Sequence, residues 1–384
     1  MFKELTLSEK ILMKISTQKP ELQAALQKLS KATPARSALP ILSNVLFDVN
    51  DKETTLRTTD LEITVLLKLA ASVERSGTIC IPLQSLLSLT NEMPEDTRIT
   101  ISAKNDNKIE IKTPIGSYDI VGRPAEEFPA IPEIDNRKTI TLAGSTLSDL
   151  INNTSFAVSK DELKPALSGV LFHFEKDKTT AVATDGHRLV KNTKKETGTE
   201  GFTGDIIIPR KFLSLVSNLL PGAEETKIWV GENHMTMAFG EDTYYTRIIG
   251  ERFPDYESVI PKDNDKELII NRNNILSAVR RVSVFSNRST QQIALVIADG
   301  KIQVTTEDPE QSSKGKEELE GKYTGEDLTI GYNATYLKDI LSHLPSEEIT
   351  IMLKTSISAA LFFPQKQENK EELTMLLMPI RLND

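Results

Sequence analysis

The chain is short of the side chains on which much protein chemistry depends. Its single cysteine, Cys80, rules out an internal disulfide and suits a reducing compartment. The four histidines, His173, His187, His234 and His343, are scattered, and Cys80 has no partner at ligand spacing, so no metal site is expected. No stretch approaches the roughly 18 consecutive apolar residues that would span a bilayer. Glu4 and Glu9 stand where a leader would carry a basic segment and then an apolar one, and the chain reads as cytoplasmic. Neither Gly-x-Gly-x-x-Gly nor His-Glu-x-x-His occurs. In residues 315–322, the nearest approach to a phosphate loop, the glycines stand one residue too far apart, and Tyr323 follows the lysine where Ser or Thr is needed. ATP binding is therefore not expected, and no cofactor is implied.

What is present is a soluble, acidic, globular composition: 39% hydrophobic, 26% charged, and 46 basic against 55 acidic side chains for a net charge of −9. A chain of 384 residues is too long for one typical core and suits two or three domains. The acidic sum argues against a surface that binds nucleic acid everywhere, so the distribution of charge matters more than its total.

The sequence repeats itself. Leu42-Ser43-Asn44-Val45-Leu46-Phe47 returns as Leu167-Ser168-Gly169-Val170-Leu171-Phe172, and Thr59-Asp60-Leu61 returns as Thr184-Asp185-Gly186, with Thr306-Glu307-Asp308 further on. Ile81-Pro82 returns as Ile208-Pro209 and, more faintly, at Tyr332-Asn333; Glu127-Phe128-Pro129 returns as Arg252-Phe253-Pro254. These anchors agree on a unit of about 125 residues, far longer than the 20–50 of a solenoid repeat. Polar stretches at 132–138 and 261–266 lack apolar periodicity. The expected organisation is an N-terminal extension over 1–12, with Met13 as an alternative start, then three similar domains over 13–134, 135–262 and 263–384.

Each repeat reads as α+β, two helices with antiparallel sheet. Leu22, Leu26 and Leu29 fall on one helical face after Pro20 at N1; Leu147, Leu150, Ile151 and Phe156 follow a cap at Ser145 or Thr146; Ile275, Leu276, Val279 and Val282 follow Asn273 or Asn274. A second helix follows each Ile-Pro-like entry. Lys108-Ile109-Glu110-Ile111-Lys112 alternates as a half-buried strand should, and residues 180–184, 227–230 and 301–305 are similar.

Positive charge collects on equivalent helices. Lys19, Lys28, Lys31 and Arg36 stand against Glu21 in the first repeat, and Arg272, Arg280, Arg281 and Arg288 have no acid among them in the third. Exposed helices are often basic for solubility alone. Two equivalent basic helices in a chain of net −9 point instead to phosphate-backbone contact, which needs no base sequence.

Ala183-Thr184-Asp185-Gly186-His187-Arg188-Leu189 is the densest cluster of polar chemistry. Asp185, His187 and Arg188 could make an acid–base site. Against this, His187 corresponds to Glu62 in the first repeat, so a catalytic set would exist in one repeat only, and no enzyme is expected. Asp and Gly explain a tight turn; His187-Arg188-Leu189 is left for a binding surface.

This cluster, with Arg252-Phe253-Pro254-Asp255-Tyr256, Met378-Pro379-Ile380-Arg381-Leu382, Leu39-Pro40-Ile41-Leu42 and Ile207-Ile208-Pro209-Arg210-Lys211, resembles the bacterial sliding clamp family, the β subunit of DNA polymerase III, over nearly the whole chain. The resemblance implies a non-catalytic DNA clamp fold: a head-to-tail homodimer closing into a ring on double-stranded DNA. It also implies partners in the polymerase III α subunit, the clamp loader and other clamp-binding-motif proteins. An interaction scaffold of the same fold that does not encircle DNA is the alternative. By resemblance, the dimer interface holds Tyr118 on one side and Val284 and Phe285 on the other. Arg36 ranks first for DNA, followed by Lys28, Lys31, Arg280 and Arg281 from charge and helix position. A partner-peptide pocket would comprise Leu167, Thr184, Gly186, His187, Arg188, Leu189, Pro254, Val259, Asn333, Tyr336, Ile357, Leu377, Met378, Pro379, Ile380 and Arg381. Ser258, Pro165-Ala166 and the Asn383-Asp384 tail depart from patterns seen in some members.

Overall fold

The computed structural model describes residues 11–34, 36–131, 138–199, 202–298, 300–367 and 369–382. Most of the 1–12 extension, the boundary at 134–135 and the Asn383-Asp384 tail lie outside them. Ile11 and Leu12 already belong to the first strand, Ile11–Gln18, where Ile11 pairs with Lys104; ordered chain therefore begins before Met13.

Six helices form among the described residues, two in each repeat: Lys19–Ser30 and Leu83–Asn91, Gly144–Thr154 and Arg210–Val216, Arg272–Val282 and Ala334–His343. The expected apolar stripes are their buried faces, with Leu22, Leu26 and Leu29 in the first and Ile275, Leu276, Val279 and Val282 in the fifth. Helix starts differ from expectation. Asn271, ahead of Asn273 and Asn274, is the cap of the fifth helix, its Oδ1 accepting from Asn274 N at 3.0 Å. Gly144–Thr154 begins before Ser145 and Thr146 with no side-chain cap, and Phe156 lies past its end in the turn Ser155–Ala157. Pro20 is the second residue of its helix, after Lys19.

The strands alternate as the sequence suggests: Ile109 and Ile111 of Lys108–Thr113 are buried and their neighbours are not. Cys80 is fully buried in the strand Gly77–Pro82, and burial pushes its thiol up to about 12. Because only the thiolate is nucleophilic, Cys80 should resist alkylation at pH 8 in the native protein and react at the rate of global unfolding. A thiol titration with and without denaturant checks this.

The chain forms two compact units, one reaching from the N-terminus to Ile140 and including Glu225–Arg247, the other made of Thr141–Glu224 and the chain from Ile248 onward. These do not coincide with the three repeats because the sheets run through the repeat boundaries. Within the first unit, Asp242–Arg247 of the second repeat pairs with Ile63–Leu69 of the first, Thr243 opposite Leu66. Within the second unit, Glu371–Leu377 of the third repeat pairs with Arg188–Lys195 of the second, Arg188 opposite Leu377. Both joints join a repeat's last strand to the strand after the Asp turn of the repeat before. In the outer repeats the equivalent strands, Gly116–Val121 and Ser313–Leu319, are the last in their sheets, with no strand beyond them among the described residues.

Candidate functional site

The Asp turn is built by its own side chains. Thr184 Oγ1 donates to Arg188 O at 2.7 Å and accepts from Gly186 N at 3.1 Å, while Asp185 Oδ1 accepts from His187 N at 2.9 Å and Arg188 N at 3.0 Å. Gly186 has φ of +91°, a conformation that costs glycine little. The first repeat makes the same bonds through Thr59 and Asp60 but puts Leu61 at φ +77°. In the third repeat Thr306-Glu307-Asp308 ends a strand, and the turn follows it, with Asp308 Oδ1 accepting from Glu310 N.

Arg188 departs most from its expected role. Its residue is 7% exposed, and its guanidinium meets Asp185 Oδ2 through Nε at 3.1 Å, Asp339 Oδ2 through Nη1 at 2.6 Å and Phe156 O through Nη2 at 2.9 Å. It also lies over the rings of Tyr336 at 4.8 Å and Phe156 at 5.3 Å. Tyr336 and Asp339 are one turn apart on Ala334–His343, so a single helix face receives the arginine. With each of its three nitrogens engaged, Arg188 fastens the second repeat's turn to the third repeat's helix. His187, one residue earlier, stacks on Tyr336 with ring centres 5.5 Å apart.

Beside this fastening runs a groove of about 580 Å³. Leu167, Thr184, Gly186, His187, Arg188, Leu189, Pro254, Val259 and Met378 line it, joined by Asp255, Tyr256, Pro261, Ser358, Ala359 and Leu376. Its floor is the buried cluster of Leu167, Leu171, Leu189, Phe253 and Leu376. Val259 and Met378 stay 55% and 42% exposed, so the rim is apolar too. Tyr256 packs edge-on against Phe253, and burial is the main reason its phenol titrates above the ordinary range. Few polar groups in a concave apolar wall suit a short peptide with apolar anchors.

The other expected pocket residues stand outside the lining. Leu377 is fully buried in the sheet; strand alternation hands the groove position to Leu376. Asn333 caps Ala334–His343, accepting from Thr335 N and Tyr336 N, and Tyr336 sits behind His187. Ile357 is 68% exposed in the turn before Ser358. Ile380 forms a bridge with Gly331, and Pro379 and Arg381 flank it in the tail. That tail is held by Met378 N donating to His187 O at 2.8 Å and Ile380 N donating to Gly331 O at 2.9 Å. A Cβ on Gly331 would lie 2.7 Å from Ile380 O and 2.7 Å from Leu382 Cδ2. Gly331→Ala should thus cost about 1–3 kcal/mol and free the tail to limited proteolysis from Met378 onward; an unaltered cleavage pattern would show that the fit has slack.

Residues 13–132, 141–255 and 257–381 match the N-terminal, central and C-terminal domains of the DNA polymerase III beta subunit. The chain belongs to that family. The beta sliding clamp of Pseudomonas putida is 31% identical over 373 residues, covering 96% of this chain and all of the relative, and that of Escherichia coli K12 is 27% identical over 372 residues with the same coverage. A crystal structure of the DnaN sliding clamp from Pseudomonas aeruginosa, 29% identical, superposes with a TM-score of 0.90 over 96% of this chain and all of that one. The clamp from Bacillus subtilis, 24% identical, shares the fold with a TM-score of 0.91 over 97% of this chain and all of that one. As a member of the beta subunit family, the chain is not an enzyme.

Ser258 and Pro165-Ala166 have local roles. Ser258 Oγ donates to Asp255 O at 2.8 Å, and Pro165-Ala166 open the short turn Pro165–Leu167. Among the described residues no helix is long and apolar enough to cross a membrane, and no cluster of three His, Cys, Asp or Glu could hold a metal.

The basic residues separate into two kinds. Lys19, counted with the basic helix, is 3% exposed and bonded to Glu95, so it belongs to the fold. Lys28 Nζ lies 2.6 Å from Asp242, and Arg281 grips Glu317 through two bonds of 2.8 and 2.6 Å. Lys31, Arg36 and Arg280 are exposed, with no side-chain partner among the described residues. Arg36 and Arg288 lie beyond the ends of Lys19–Ser30 and Arg272–Val282. The sequence-based pocket set missed Asp255, Tyr256, Pro261, Ser358, Ala359 and Leu376 of the lining, together with Asp339 and Phe156, which become visible only once Arg188 is seen to be buried.

Proposed function

We propose that two copies of this sliding clamp join head to tail into a ring around duplex DNA, and that the groove beside His187 docks short apolar peptide segments. Those segments would come from the polymerase α subunit, the clamp loader and other clamp-binding proteins. One observation carries the ring. The chain joins its own repeats twice by the same strand pair and leaves one member of that pair open at each end, at Gly116–Val121 and Ser313–Leu319. Pairing those edges between copies is a heterologous contact, which either closes or grows without limit.

The proposed interface residues suit it. Tyr118, Val284 and Phe285 are 36%, 77% and 46% exposed; Tyr118 is on the first edge, and Phe285 lies beside the other, its carbonyl accepting from Ser313 Oγ at 3.0 Å. Lys31, Arg36, Arg280 and Arg281, with Lys28, are proposed to face phosphates, and the weak, distributed contact they offer permits sliding. A cytoplasmic location fits the lone buried thiol.

The test joins a mass measurement to a processivity assay on primed circular DNA with the matching loader. A particle of twice 42.7 kDa that lengthens each synthesis run is expected. A monomer at micromolar concentration would overturn the ring and favour the non-encircling scaffold.

A further inference from the structure

A second groove, of about 730 Å³, lies in the first repeat between the segment that opens at Arg36 and the segment Val121-Gly122-Arg123-Pro124. We infer that it is a phosphate-backbone site for DNA, with Arg123 and the hydroxyls of Ser37 and Ser43 acting beside Arg36. The inference rests on the reading of the chain as a DNA clamp and extends it to residues that neither charge runs nor helix position picked out.

The groove collects donors. Arg36 is exposed and has no side-chain partner among the described residues. Arg123 has one loose ion pair, its Nη1 3.5 Å from Glu127 Oε2, in an exposed setting where such pairs contribute little. Ser43 is exposed and its hydroxyl makes no hydrogen bond among the described residues; Ser37 Oγ accepts from Leu39 N at 3.0 Å, leaving its proton to give.

The groove is also built to hold these groups in place. Arg123 N donates to Cys80 O at 2.9 Å and Cys80 N to Arg123 O at 3.0 Å, so the arginine's backbone is locked to a buried strand. Gly122 permits this approach, since a Cβ there would sit 2.5 Å from Cys80 O. On the other wall, Asn44 Nδ2 donates to Pro40 O at 3.0 Å and Ile41 O at 3.1 Å, fixing the turn that carries Ser43. Two guanidinium groups and two hydroxyls around one open groove match a tetrahedral anion with several acceptor oxygens. A chain whose net charge is −9 would draw a polyanion to such a spot only through local positive potential. Asn44, the one carboxamide in the lining, already gives its Nδ2 to Pro40 O and Ile41 O and has no donor left for a base edge, so recognition is independent of sequence.

The experiment uses the full-length chain and a short fluorescent duplex of mixed sequence, with affinity measured across a salt series. Arg123→Ala is expected to reduce the slope of log affinity against log salt by about 0.9, the value for one lost phosphate contact, and Arg36→Ala/Arg123→Ala by about twice that. Arg123→Lys should keep the slope. Dimer mass and peptide binding at the His187 groove should not change, which separates the effect from misfolding. Arg280→Ala/Arg281→Ala serves as the reference. If it weakens DNA binding while Arg123→Ala leaves affinity and slope at the parent values, the second groove is not a phosphate site although the clamp reading stands. If the parent itself fails to bind the duplex at low salt, this inference fails, while the clamp reading is decided separately by the loader-dependent processivity assay.

Discussion

Arg188→Ala is expected to lower the unfolding free energy of the full chain by about 3–5 kcal/mol, the usual result of removing one partner of a buried ion pair. Asp185 would lose its charged partner with its side chain only 12% exposed, and the Phe156 carbonyl would lose its donor. Asp339, at 41%, recovers water on one side, which places the effect toward the low end of that range. The measurement is a urea transition, in which the midpoint should fall with little change of slope. Peptide affinity should fall in the same variant, because Tyr336, on which His187 stacks, loses the cation over its ring. Arg188→Lys keeps a charge but cannot reach three acceptors in a fork, so it should recover only part of either quantity. A loss below about 1 kcal/mol would mean that the two repeats are held elsewhere.

Phe285→Asp should turn the dimer into a folded monomer at micromolar concentration and remove processive synthesis. Phe285 stands 46% exposed beside the open edge, so its replacement leaves the monomer's core intact. At the proposed interface a carboxylate would lose its water where an apolar ring was buried. Mass measurement and circular dichroism together decide the matter: native ellipticity at monomer mass is the expected pair, and a dimer that survives nanomolar dilution would remove Phe285 from the interface. Tyr118→Asp, at the opposite edge, should behave alike, since the proposed interface contains both.

How far the sequence carries depends on the range of each interaction. The six helices and their apolar faces follow from spacing of three and four residues, and the repeat follows from like residues at 125. The Asp turn is equally local, its bonds spanning two to four residues. Asp339 lies 151 residues from Arg188 and Phe156 lies 32 away, and nothing in the neighbourhood of either residue signals the meeting. Leu376 and Leu377 show a finer limit: two adjacent leucines on one strand, where only pairing with Arg188–Lys195 decides which of them reaches the groove. Charge was the least legible property. Lys19 and Arg281 both look free in the sequence, and each has an acid waiting for it on another element, Glu95 and Glu317.

The doubled strand joint also bears on how such an assembly could fail. A head-to-tail contact is blind to how many copies it joins; the rotation from one copy to the next decides whether the last edge meets the first. The two internal joints, at Thr243 opposite Leu66 and at Arg188 opposite Leu377, each set one repeat against the next within its own unit. A lesion at either joint that alters twist but spares both terminal edges would leave every copy adhesive and none able to close. Its signature would be filaments that lengthen with concentration, a polymerisation defect arising from a residue that touches no other copy.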